Sequence, residues 1–178
     1  MPNPPTHQIP DTVEHLPICP RRRLPVPFVN AMTPDGADFT ALDPRKVYEV
    51  AERRLCGVCG RPLDYWIFLL GGPSSATERA YVDPPMHEVC ARHAMQLCPY
   101  VARQSMRRRK NPLTPSTMPL GFVEKHPEAY VMYITRAYKF KVTARGLIFT
   151  PAPAVRLERY EYVDGQLTAC PVSQNRPR

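Results

Sequence analysis

The chain has no long apolar run. Its longest, Tyr65 to Leu70, falls far short of the about 20 residues a helix needs to cross a bilayer. The opening MPNPPTHQIP has neither the basic n-region nor the apolar h-region of a secretory signal, so reduced thiols in a cytoplasm are the expectation for the six cysteines. The usual enzymatic devices are missing as well. The stretch LLGGPSS at 69–75 lacks the lysine and the following helix of a phosphate-cradling loop, and Gly71-Gly72 reads as a turn. Ser74, Ser75 and the histidines fall into no recognisable nucleophile arrangement.

Proline, by contrast, is abundant: 23 residues, ten of them within the first 44. Proline lacks an amide hydrogen and fixes its own backbone, so the N-terminal part is expected to be extended with little helix, residues 1–20 forming a disordered tail that ends at Cys19. Arg21, Arg22 and Arg23 read as a solvated charge run, and LPVPFVNAM as an edge strand or strap. The net charge is +8, and residues 99–145 alone carry ten Lys or Arg against Glu124 and Glu128. Such clustering favours an anionic partner, nucleic acid being the first candidate.

Four of the six cysteines and two of the five histidines fall between Cys56 and Cys98. Cys56-x-x-Cys59-Gly60 has the spacing that lets two thiolates reach one tetrahedral ion, with Gly60 taking the positive φ of the knuckle. Upstream, Asp43 is a good helix cap, Pro44 suits the first helical position, and Val47, Val50, Ala51 and Leu55 recur at helical spacing, so a helix delivers the chain to the knuckle. Downstream, LDYWIFLLG and ATERAYVD, separated by Gly71–Ser75, read as a β-hairpin stopped by Pro84 and Pro85. MHEVCARHAMQLC then predicts a helix ending at Cys98 before Pro99.

That helix carries His87-x-x-Cys90-x-x-His93. Cys56, Cys59 and Cys90 are the thiolate candidates, and the fourth ligand lies among His87, His93 and Cys98. Cys98 sits about 12 Å along the axis from Cys90, too far for one ion. Both histidines share the face of Cys90; the paired prolines place His87 and Cys90 in the first turn and favour His87, leaving His93 as the alternative. Cys19, Cys98 and Cys170 read as structural or incidental. Knuckle, hairpin and ligand-bearing helix follow the order of a treble-clef zinc finger with structural Zn²⁺.

The rest is basic and proline-containing from Pro99 to Pro127. YVMYITRAYKFKV, GLIFT and AVRLERYEYV then alternate apolar with polar residues and predict an antiparallel sheet of three or four strands, with turns at Gly146 and Asp164-Gly165. The expected class is α+β, divided into an extended segment 1–42, a zinc module 43–98, a basic linker 99–127, a β segment 128–168 and a tail 169–178 frayed from Ala169.

LDPRKVYEVAERRLCGVCGRPL, PPMHEVCARHAMQLCPYVAR and YVMYITRAYKF resemble a group of uncharacterised proteins from actinobacteria and their phages, over about residues 40–165. In that group the second cluster looks like H-x-x-C followed by A-C-P, which the resemblance carries over as support for His87 with Cys90. It implies no activity.

The treble clef also scaffolds HNH-type nucleases, whose histidine base lies between the two zinc pairs. Here that interval offers Asp64, Asp83 and no histidine before His87, so the enzyme reading is disfavoured. The preferred expectation is a non-catalytic binding module. Its nucleic-acid contacts would be Arg103, Arg107, Arg108, Arg109, Lys110, Lys139 and Lys141, interleaved with Tyr100, Tyr138 and Phe140 as stacking partners. The competing expectation is an adaptor or phage/host regulatory protein docked on an acidic protein partner.

Overall fold

The computed structural model describes residues 11–102, 127–144 and 146–170. The chain begins with two short antiparallel pairs: β1 (Ile18–Cys19) with β2 (Leu24–Pro25), and β3 (Asn30–Thr33) with β4 (Gly36–Leu42). No helix forms before Pro44 among the described residues. The expected disordered tail is corrected over residues 11–20. Val13, Leu16 and Cys19 are buried there, because Val13 and Leu16, three apart, present one apolar edge to the core that surrounds the cysteines.

Helix α1 (Pro44–Arg53) starts where the sequence says. The Asp43 carboxylate accepts from the Arg45 amide at 2.9 Å, Pro44 occupies the first turn, and Val47, Val50 and Ala51 are buried. The helix stops at Arg54, which takes the left-handed conformation at φ 54°, and the knuckle follows at once.

Beyond it runs β5 (Ile67–Gly71), and here the expected hairpin does not form. Pro73 sits at the first position of a short helix, α2 (Pro73–Glu78), so ATERAYVD begins helical instead of extended, and a helix does follow Gly71-Gly72. Tyr81 is left with a single bridge to Phe149. The local turn lost to a distant partner: β5 pairs antiparallel with β6 (Ala129–Thr135), Ile67 opposite Thr135 and Gly71 opposite Val131. The free side of β5 still takes one residue, since Phe68 and Met86 exchange both backbone hydrogen bonds at 3.0 and 2.8 Å. Met86 thereby delivers the chain to α3 (Glu88–Leu97), which is followed by the single turn α4 (Pro99–Ala102).

The C-terminal strands also pair differently from the single sheet expected. β7 (Tyr138–Thr143) and β8 (Gly146–Pro151) make a hairpin of their own, whereas β9 (Arg156–Val163) and β10 (Gln166–Ala169) extend a four-stranded sheet in the order β10-β9-β6-β5. Ala169 closes β10 and the Cys170 amide donates to the Arg159 carbonyl at 2.8 Å, so neither is frayed.

Every residue of β6 is buried, which explains the nearly unbroken apolar run AYVMYIT: a strand covered on both faces has no solvent side on which to alternate. Its pleat feeds two cores. Tyr130, Met132 and Ile134 join Phe68, Leu70, Tyr160, Met86 and Met95 around the cysteines. Tyr133, with Ile67, Leu69 and Tyr81, joins Val47, Val50 and Ala51 of α1 and Tyr138, Leu147 and Phe149 of the hairpin. Arg92 fastens α3 to the sheet, donating to Glu88 at 2.7 Å, the Tyr160 hydroxyl at 3.1 Å and Glu158 at 3.3 Å.

Candidate metal centre

The knuckle is a closed backbone turn. The Cys56 amide donates to the Arg61 carbonyl and the Gly60 amide to the Cys56 carbonyl, both at 2.8 Å, and Leu55 bridges Pro62. Gly60 has φ +71°, and a Cβ there would lie 2.8 Å from the Phe28 ring. Only a residue without a Cβ satisfies both demands. Gly57 makes room in the same way for Pro84, whose Cβ stands 2.8 Å from where its own would be.

The second pair arrives on α3. His87 is its N-cap residue, extended at φ −71° and ψ 159°, and makes no side-chain cap bond because its ring is turned to the sulfurs. Cys90 follows within the first turn and is fully buried, as is Cys56, while Cys59 is 1 % exposed. His87 Nδ1 lies 3.3 Å from Cys59 Sγ and 4.0 Å from Cys90 Sγ, and the donor atoms of Cys56, Cys59, His87 and Cys90 all lie within 4.8 Å of one another. Two ligands about 2.3 Å from a tetrahedral ion stand about 3.8 Å apart, so these four are spaced to hold a metal ion.

Protonation chemistry agrees with that geometry. His87 Nε2 donates to the Pro62 carbonyl at 2.8 Å, which orients the ring with Nδ1 toward the sulfurs. Hydrogen bonds from Cys56 and then Cys90 hold the Cys59 thiol far below its usual range. Hydrogen bonds with Cys56 and Cys59, with burial added, hold Cys90 far above it. The Cys56 and Cys59 sulfurs push His87 up to about 11. Four donors crowded this closely share protons among themselves, and a metal ion held between them would displace those protons.

A third layer was not anticipated from the sequence. Three carbonyls of the knuckle are taken by the N-terminal segment: Gly57 by the Val29 amide at 3.2 Å, Val58 by the Phe28 amide at 2.8 Å, and Cys59 by His15 Nε2 at 2.8 Å. Arg61 in turn reaches His15 Nδ1 at 3.4 Å, and the Thr12 hydroxyl lies 3.9 Å from Cys90 Sγ. Residues 12–29 therefore form a strap over the site. The only sequence sign of it is the spacing of Val13 and Leu16.

His93 is not in the ligand group. It lines a small apolar cavity of about 90 Å³ with Val13, Leu16, Leu24, Leu97 and Cys98. Cys19, Cys98 and Cys170 are free thiols outside the cluster.

Of the basic residues read as nucleic-acid contacts, Arg103, Arg107, Arg108, Arg109 and Lys110 lie outside the described residues. Lys139 and Lys141 are exposed on β7. The aromatics between them are not available for stacking, because strand alternation sends them inward: Tyr138 is buried with its hydroxyl on the Ala51 carbonyl at 3.2 Å, and Phe140 meets Tyr48 edge-on at 6.2 Å. Tyr100 is half-buried on α4. Among the described residues the aromatics that reach the surface are Tyr48, 43 % exposed, and, just after the knuckle, Tyr65 and Trp66, 64 % and 38 % exposed. Residue type alone did not separate the latter two from the β5 core.

No helix among the described residues is long and apolar enough to cross a membrane. Compared with protein-family models, with curated proteins and with solved structures, the chain matches none.

Proposed function

We propose that this protein is a zinc-stabilised, non-catalytic binding module of treble-clef type that contacts nucleic acid through its basic surface. The observation that carries the reading is the Cys56, Cys59, His87 and Cys90 cluster, four protein donors drawn together among core residues. Three thiolates and an imidazole are a donor set that suits Zn²⁺, and four of them fill a tetrahedral ion, leaving no position for substrate or water. The ion would then join a knuckle, a strand and a helix start that share little else. On this reading the Phe68–Met86 pair stands in place of the hairpin that a treble clef carries.

Support for the nucleic-acid reading is the charge of +8, with Lys139 and Lys141 side by side on the open face of β7. An HNH-type nuclease has less support, since His87 is turned to the sulfurs and His93 lines the apolar cavity. A resemblance to actinobacterial and phage proteins, read from the sequence motifs alone, would fit a regulatory binding role and adds no chemistry.

The test is a mobility-shift titration at about 50 mM salt, where surface electrostatics act at longer range. A complex is expected whose affinity falls with salt at a log-log slope of about −0.9 per phosphate contacted on duplex DNA. Replacing Lys139, Lys141, Arg107, Arg108, Arg109 and Lys110 by alanine should flatten that slope. No complex at tens of micromolar protein would refute the reading and turn the search to an acidic protein partner.

A further inference from the structure

We infer that Tyr65, Trp66 and Arg136 form a stacking site for the bases of single-stranded nucleic acid; this rests on the nucleic-acid reading above and locates it on new residues. The site follows from the fold. Ile67 pairs with Thr135, so Trp66 and Arg136 stand one step beyond that pair, at the end of β5 and β6. The Arg136 guanidinium lies 5.0 Å from the Trp66 ring centre and 5.3 Å from that of Tyr65. The two rings meet edge-on, 5.0 Å apart and 78° to each other.

The guanidiniums divide by what they rest on, and Arg22, over the Phe39 ring at 5.1 Å from its centre, belongs with those on aromatic faces. Arg53, Arg92, Arg156 and Arg159 are each paired with a glutamate. Among the described residues Arg136 has no carboxylate partner and rests on aromatic faces instead. Arg54 does the same on Tyr138, at 5.2 Å from the ring centre. Its backbone carbonyl accepts from the Leu63 amide at 2.9 Å. The nearest acid in sequence, Asp64, has its carboxylate 3.8 Å from His87 Nε2.

A guanidinium seated on a ring keeps its N–H donors for an anion, and its positive charge is left for that anion to neutralise. A half-exposed Trp beside a well-exposed Tyr is a surface that an apolar, planar partner would cover. Phosphate and planar base together are what a nucleotide strand offers, and in a duplex the base faces are already stacked. Single strands are therefore the partner that uses both halves of the site. An acidic peptide would use the guanidiniums and leave the rings without a stacking partner. The knuckle fixes the approach of the chain to this patch, since Pro62 accepts from His87 Nε2 and Tyr65 follows three residues later.

Trp66 is the sole tryptophan, so its fluorescence reports on this site alone. The full chain, metal-loaded, is titrated at about 50 mM salt with a short oligothymidylate, with an abasic strand of equal length, and with polyglutamate; binding is followed in parallel by anisotropy of a labelled oligothymidylate. Expected are quenching by oligothymidylate, little by the abasic strand, and about a tenfold loss of affinity in Arg136→Ala and in Trp66→Ala, the scale of one stacked base. Equal quenching by the abasic strand overturns the stacking role, and quenching by polyglutamate without oligothymidylate assigns the patch to an acidic protein. Oligothymidylate binding without quenching, unchanged in Arg136→Ala, overturns this site and leaves the nucleic-acid reading standing. No binding of any strand removes both.

Discussion

Truncating Val13 tests whether the N-terminal strap is part of the metal centre. Val13 is fully buried in the core that contains Cys56, Cys59 and Cys90, and its neighbours in the chain hold the knuckle through His15 and lie against Cys90 through Thr12. Val13→Ala removes two methyl groups. At about 0.8 kcal/mol for each buried carbon this is about 1.6 kcal/mol, and the cavity left behind raises it to about 2–3 kcal/mol. Val47→Ala in α1 is the control, a buried valine in the other core with a cost of similar size. Denaturant titration of metal-loaded protein should show both midpoints falling. Transfer of the metal to a chromogenic chelator in native buffer should accelerate clearly only in Val13→Ala, because loosening the strap opens the site without unfolding the sheet. Equal transfer rates in the two variants, or an unchanged midpoint in Val13→Ala, would refute the strap argument.

Substituting His87 by Ala should remove most of the bound metal in elemental analysis, whereas His93→Ala, outside the donor cluster, should retain it. Gly60→Ala should cost at least about 1–2 kcal/mol by denaturant titration, the penalty of a left-handed backbone for a residue with a Cβ, with more from displacing the Phe28 ring. Acidification should release the metal, because protons compete for the thiolates and the imidazole; apparent affinity should rise with pH until all four are deprotonated, and a chelator competition series at several pH values reads the slope. Plasmid nicking with magnesium or manganese should be absent; nicking that vanishes in His87→Ala would instead establish a nuclease.

Local signals carried furthest where chemistry is local. Asp43-Pro44 capped α1, Gly60 turned the knuckle, and the Cys-x-x-Cys and His-x-x-Cys spacings gave the four residues that the fold draws together, with His87 preferred over His93 by its place at the helix start. Pairing between distant segments was not readable in the same way. β5 could have closed a hairpin on its own downstream run, and nothing within residues 67–82 says that AYVMYIT, some 60 residues later, is the better partner. The strap was hidden for the opposite reason: its prolines suggest an extended and idle segment, while its contacts are three backbone carbonyls of the knuckle that no residue type advertises. On β7 the composition misled, because lysines and aromatics that alternate in sequence separate onto opposite faces of a strand.

X-ray absorption at the zinc edge on freshly purified protein tests the central claim most directly, since it counts the atoms around the ion. The account predicts one zinc per chain with three sulfurs at about 2.3 Å and one nitrogen at about 2.0 Å. An ion surrounded by oxygen and nitrogen alone, or a folded protein with well under half an equivalent of metal, would contradict it.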